Sequence, residues 1–331
     1  MSNPLYHKIN PFIRLKENEL LKPDFFEQLI AAENFQQIRE LLAQTVYGNN
    51  LGENFELTIE QTLNQELLTT YEELIEVAPE PKVIWMYTMR YTFHNLKVLT
   101  KAEIAGENYD SLFLPDGFYS LDELKTAIQT GKSTVLPTTV LKSIQEVREH
   151  IEESTILQGI DVIYDRRFLK EQRRLAEELG YPELLEEVTA SIDLNNIITA
   201  LRCLIQKRTQ AFLSAVLSSS GSISKETYMS FAGKDLDSFR TFLLESAYGE
   251  LIRPAIEKEE IDFAQLDLIK DDYLTEIVEG AQTQAFGPLP LLAFLNAKDI
   301  EAKNLRLIIV GKRSGFTATQ IKERMRKTYD V

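Results

Sequence analysis

The chain has 331 residues, 44% of them apolar, and a formal net charge of −15. That is enough apolar material for a large core or for two ordinary domains, and it excludes global disorder. The acidic balance argues against nucleic acid and against anionic lipid, because both require clustered Lys and Arg.

One cysteine, Cys203, leaves no intramolecular disulfide to form and fits a reducing compartment. The N-terminal stretch MSNPLYHKINPF lacks the apolar core of a signal peptide. No window approaches about 18 uncharged apolar residues, so a soluble chain is expected.

In chain order, Pro4 and Pro11 predict an extended start, and Pro23 opens a short helix carrying Phe25, Phe26, Leu29 and Ile30. Asn34 with Gln37 reads as a capping box for a helix from Phe35 to about Tyr47, stopped at Gly48. Thr58 with Gln61 predicts another start, for a helix to about Val77; Pro79 and Pro81 end it. The next helix spans roughly Val83 to Ala105. Its segment VIWMYTM is the best strand candidate in the chain, but it sits within a helical pattern. Ser120 with Glu123 caps a helix ending at Gly131, and one long helical pattern runs from about Thr138 to Leu179. After Gly180-Tyr181-Pro182 a further helix extends to about Leu217. The loop SSSGSIS, Ser218 to Ser224, reads as a flexible joint. Helices over Thr227 to about Gly233, Asp235 to Tyr248, Asp262 to Gly280, Leu289 to Val310 and Thr319 to about Lys327 complete the chain. The fold class expected is all-α.

One feature recurs along this series. Asparagine disfavours helix interiors, because its side chain competes for backbone hydrogen bonds. Yet Asn95, Asn196 and Asn304 each interrupt an apolar helix, 101 and 108 residues apart. Basic residues follow: Lys101, Arg202 and Lys312. The asparagines are expected to make buried hydrogen bonds that fix how neighbouring helices cross, with polar contact to a partner as the alternative. The basic residues either line an inner surface or compensate helix C-terminal dipoles. Superposing Tyr47-Gly48 on Tyr248-Gly249 brings Asn34 onto Asp235 and Arg39 onto Arg240, as an internal repeat requires. The chain therefore divides into three helical units, 1–117, 118–221 and 222–331. Three like units predict pseudo-threefold symmetry around a funnel-like cavity.

No catalytic, cofactor or metal constellation emerges. The histidines are His7, His94 and His150, without HExxH spacing. Gly311-Lys312 resembles a phosphate loop superficially, but Arg306 and Arg313 stand where the motif needs Gly and Ser or Thr.

The three-unit plan, Ile13-Arg14 with Phe25-Phe26-Glu27-Gln28-Leu29, the Tyr47-Gly48 ending, FHNLK at 93–97, DLNNIITALR at 193–202 and KNLRLIIVGKRSGF at 303–316 together resemble the C subunits of V/A-type rotary ATPases, counterparts of the eukaryotic d subunit. The resemblance implies a non-catalytic central-stalk adaptor on the cytoplasmic face of the membrane. It would seat the central shaft, formed by the D and F subunits, on the membrane rotor (K/c) ring, with no direct lipid anchor and no nucleic acid. It leaves open whether Na⁺ or H⁺ is moved. A generic helical-repeat scaffold is the alternative, but tetratricopeptide arrays repeat at about 34 residues rather than about 100.

Overall fold

A computed structural model describes residues 4–107, 109, 112–153 and 156–329. Among these there is no strand. The helices are α1 (Ile9–Lys16), α2 (Pro23–Ala31), α3 (Phe35–Leu42), α4 (Phe55–Val77), α5 (Pro81–Ala105), α6 (Leu121–Thr130), α7 (Thr138–Glu153) and α8 (Gln158–Leu179). They continue as α9 (Pro182–Ile205), α10 (Gln210–Val216), α11 (Lys225–Met229), α12 (Leu236–Glu245), α13 (Gly249–Ile256), α14 (Phe263–Val278), α15 (Leu289–Arg313) and α16 (Ala318–Lys322). Contacts divide the chain into two compact units, Met1–Ile84 with Ala264–Val331, and Trp85–Phe263.

In the first unit both chain ends surround α15. That helix is buried on every side from Leu289 to Ala302 and on one face beyond, packed by α4, α1, α2 and α16. Leu291, Leu295, Leu305 and Ile308 meet a core that includes Ile13, Leu29, Ile38 and Leu63, all at most 1% exposed. Full burial of each such side chain contributes about 1.5–3 kcal/mol. The helix starts follow local chemistry. Asn34 accepts the Gln37 amide at 3.0 Å, while the Gln37 side chain reaches back to the Glu33 amide at 2.8 Å. Pro23 supplies the fixed φ of a first helical turn.

In the second unit α5, α8 and α9 form an antiparallel series. Lys97 pairs with Asp165 and Lys101 with Asp161, so α5 and α8 run in opposite directions. Phe93 packs edge-on against Tyr164, with ring centroids 6.2 Å apart. Arg173 on α8 reaches Thr189 on α9 at 2.6 Å after the chain reverses at Gly180, whose φ of 73° suits glycine. The Ser120–Glu123 capping box is present in full. The VIWMYTM segment is helical, within α5.

Several expectations give way. Residues 4–6 form a 3-10 turn and α1 follows at once, with Pro11 tolerated in its first turn, so the start is not extended. Helix α4 begins at Phe55, ahead of Thr58, whose hydroxyl bonds the Asn54 carbonyl at 3.4 Å instead of capping. The pattern from Thr138 to Leu179 is two helices packed against each other, with Glu146 of α7 held by Arg166 and Arg167 of α8. No proline or C-terminal glycine marks that turn, so periodicity runs through it. The helix from Pro182 stops at Ile205, where Lys207 takes a φ of 50°, and α10 is separate. Helix α13, with Pro254 inside it, follows Tyr248. Helix α9 is long enough, with a mean hydropathy of 1.2 over its most apolar window, to meet the composition of a membrane span; 61% of that window is buried inside the protein.

Candidate functional site

The three asparagines do the same thing at three places. The Asn95 carboxamide donates to the Leu114 carbonyl at 2.9 Å and accepts the Leu114 amide at 2.9 Å. Asn196 does so with Ser218, at 2.9 and 3.0 Å. Asn304 does so with Arg326, at 3.0 and 2.9 Å. The carboxamide has one donor face and one acceptor face, and each peptide partner offers the complement. Asn95, Asn196 and Asn304 are 1%, 2% and 0% exposed; both bonds of Asn196 are fully buried, whereas those of Asn95 and Asn304 end on half-buried peptides. The partner lies 19, 22 and 22 residues downstream in each case. The asparagine therefore clasps the returning chain to its own helix, rather than setting a crossing between two helices.

A second pattern sits one turn earlier on two of these helices, and sequence reasoning missed it. Asp193, three residues before Asn196, accepts the Tyr248 hydroxyl at 2.9 Å and the Ser222 amide at 2.8 Å. Glu301, three residues before Asn304, accepts the Tyr47 hydroxyl and the Leu21 amide, both at 2.6 Å. Each tyrosine lies in a Thr/Ser-x-Tyr-Gly turn: the Tyr47 amide bonds Thr45 Oγ1, and the Tyr248 amide bonds Ser246 Oγ, at 3.3 Å each. The signal in the sequence was an acid inside an apolar helix, one turn before the notch, together with the repeated TVYG and SAYG.

These bonds also hold the loop expected to be a joint. Ser218 is buried, and Ser222 and Ile223 donate to Asp193. A Cβ at Gly221 would stand 2.1 Å from Asp193 Oδ1, so only glycine allows this approach. SSSGSIS is thus docked along α9.

Charge is buried around α15 but matched. Lys298, 2% exposed, bonds Glu66 and Glu301 at 3.0 Å each. Burial works against its charge, but the two carboxylates outweigh it and its pKa is raised. Burial, with Glu301 and Glu66, pushes the Tyr47 phenol well up. Asp271 is opposed by burial, yet Lys303 at 2.9 Å and Arg326 at 2.8 Å hold its carboxyl below the usual range.

The three basic residues share no role. Lys101 takes both oxygens of Asp161 at 2.7 Å. The Arg202 guanidinium lies 5.0 Å over the Phe263 ring. Lys312 donates to the Ile30 and Ala32 carbonyls at 2.7 and 2.8 Å, which caps α2 rather than its own helix. Burial pushes the Cys203 thiol up, away from thiolate chemistry. His94 and His150 each face a backbone carbonyl, of Leu112 at 2.8 Å and of Ile156 at 3.0 Å. Among the described residues no three His, Cys, Asp or Glu side chains are grouped to hold a metal. What the arrangement does is fix loops to helices: each asparagine carboxamide pairs with both polar groups of one peptide on the returning chain.

Comparison with known proteins places this plan. The model of the ATP synthase (C/AC39) subunit family matches residues 9–324. The C subunit of the V-type sodium ATPase of Enterococcus hirae is 55% identical over 98% of this chain and 99% of its own length. The C subunit of the A-type ATP synthase of Methanocaldococcus jannaschii is 23% identical, over 96% of this chain and 85% of its own. The C subunit of the V-type ATP synthase of Thermus thermophilus is 22% identical, over 95% and 96%.

Proposed function

Since this chain belongs to the ATP synthase (C/AC39) subunit family of the V/A-type rotary ATPases, we propose that it is the non-catalytic adaptor of the central stalk. It seats the shaft formed by the D and F subunits on the membrane rotor (K/c) ring and passes torque between them. It works at the cytoplasmic face of the membrane, held there by the complex. Its three sequence units, 1–117, 118–221 and 222–331, surround a funnel-like cavity with pseudo-threefold symmetry, which receives the end of the shaft.

The observation that carries this reading is the threefold recurrence of one asparagine clasp in a chain of this family. A part that transmits torque must resist shear, and satisfied buried networks in close-packed cores deform little. The name of the 55% identical relative makes sodium the ion such a complex would move. Ion choice itself rests with the ring.

The test is reconstitution. Purified ring should retain a D–F shaft in a pull-down when this chain is present and lose it when the chain is omitted. Equal retention without the chain would remove the adaptor role. ATP turnover by the isolated chain, surviving removal of contaminants, would contradict the absence of catalysis.

A further inference from the structure

The three clasps differ in how the neighbouring carboxylate is closed. On α9 and α15 the acid belongs to the helix, and a tyrosine hydroxyl meets it. On α5 the equivalent position, three residues before Asn95, is Thr92. The acid there comes from the loop: Asp116, two residues past the clasped Leu114. The tyrosine is missing as well. The Ser133 turn matches those of Thr45 and Ser246, with the Val135 amide on Ser133 Oγ at 3.1 Å, so valine stands where the others carry tyrosine.

Asp116 consequently lacks the tyrosine donor that Asp193 and Glu301 have. It is 3% exposed. The Phe118 amide approaches its Oδ1 at 3.4 Å, and the Thr92 hydroxyl faces it. Thr92 in turn receives the Trp85 indole at 3.4 Å. Asp116 Oδ2 is buried with no hydrogen-bond partner. By contrast Asp193 holds four donors: the Ser222 amide and hydroxyl, the Ile223 amide and the Tyr248 hydroxyl. A buried carboxylate lacking donors is costly when charged and much less so when protonated.

We propose that Asp116 makes the 112–118 loop a pH-responsive clasp on α5, closed while its carboxyl is neutral and loosened when it ionises. No cation is needed to explain the site. Tyr119, next to the loop, feels Asp116 together with Glu123 of α6 and Glu171 of α8, all three opposing ionisation of its phenol. The two glutamates are already engaged, Glu123 with the Ser120 amide at 2.9 Å and Glu171 with Arg174 at 2.7 Å.

Burial pushes the docked carboxyl up to about 7, whereas in a released, hydrated loop it returns to about 3.9. The docked state then binds the proton more tightly than the released one. Release therefore becomes easier as pH rises from about 4 to about 7, by up to about tenfold per pH unit, and levels off above that.

Amide hydrogen exchange on the full chain at pH 5, 6, 7 and 8, corrected for intrinsic rates, tests this. Protection of the Leu114 amide should fall about tenfold per unit between pH 5 and 6.5 and flatten above 7. Protection of the Ser218 amide, held by Asn196, should not follow that course. In Asp116→Asn the Leu114 protection should be flat and high. A flat Leu114 profile in the parent chain, a retained slope in the variant, or the same slope at Ser218 would each overturn the proposal. A carbon-13 titration of the Asp116 carboxyl needs no variant: a midpoint near 7 supports the clasp, and one near 4 overturns it.

Discussion

At the level of single residues, a buried carboxamide facing a single peptide group is hard to replace. Asn196→Ala would leave the buried Ser218 N–H and C=O without partners. The expected loss is about 2–4 kcal/mol, since a stranded buried polar group costs its full desolvation. The equivalent changes at Asn95 and Asn304 should cost less. Leu114 and Arg326 are only half-buried, so water substitutes in part. Asn196→Asp keeps the acceptor for the Ser218 amide but sets a second oxygen against the Ser218 carbonyl. Its charged form is disfavoured in the folded state, so its deficit should grow as pH rises from 5 to 7. Urea unfolding midpoints of these variants at both pH values check the ranking and the sign; equal losses at all three asparagines would contradict it.

At the level of elements, α15 shows what sequence periodicity conveys and what it does not. Its existence and start were legible, because Phe286-Gly287-Pro288 breaks the chain and apolar residues then follow. Its charged middle was not. Lys298, Asp299 and Glu301 look like an exposed face in one dimension, yet they are 2%, 6% and 3% exposed. The partners of Lys298 and Glu301 include Glu66, Tyr47 and the Leu21 amide, more than 230 residues away, where no local pattern points. Lys298→Met removes the cation that both Glu66 and Glu301 contact. It should cost about 3–5 kcal/mol, because two acids stay behind in low dielectric. Adding Glu301→Gln should recover part of that loss despite being a second core change. Thermal unfolding of the single and double variants reads this directly, and additive losses would mean the pair is not coupled. The same reasoning explains Lys312. Its basic, C-terminal character was readable, but the carbonyls it caps, Ile30 and Ala32, belong to the end of α2.

At the level of the whole molecule, the repeat in the sequence and the compact units in space are different divisions of one chain. The three asparagines were visible because they recur about a hundred residues apart inside apolar helices; the peptide each one clasps, 19 to 22 residues on, was not, because nothing in the sequence marks where the chain returns to the helix. Union of the chain ends was invisible because it depends on contacts across nearly the full length. Asn10 donates to the Ala285 and Gly287 carbonyls at 3.1 Å, and Leu21 donates to Glu301. Arg14 bonds the Gln284 carbonyl at 3.2 Å while pairing with Glu17. The N-terminal helices thus provide both the apolar cover of α15 and the donors for the segment that leads into it. Removing the first 33 residues should unfold α15 while sparing the unit formed by Trp85–Phe263, whose core contains none of them. Amide protection from Leu295 to Ile308 should drop on the order of 100-fold, whereas that from Ile192 to Leu201 in α9 should hold. If α15 kept its protection, its stability would come from α4 and α16 alone. If α9 lost protection to the same degree, the two compact units would unfold as one cooperative body, and the division seen in the contacts would carry no energetic meaning.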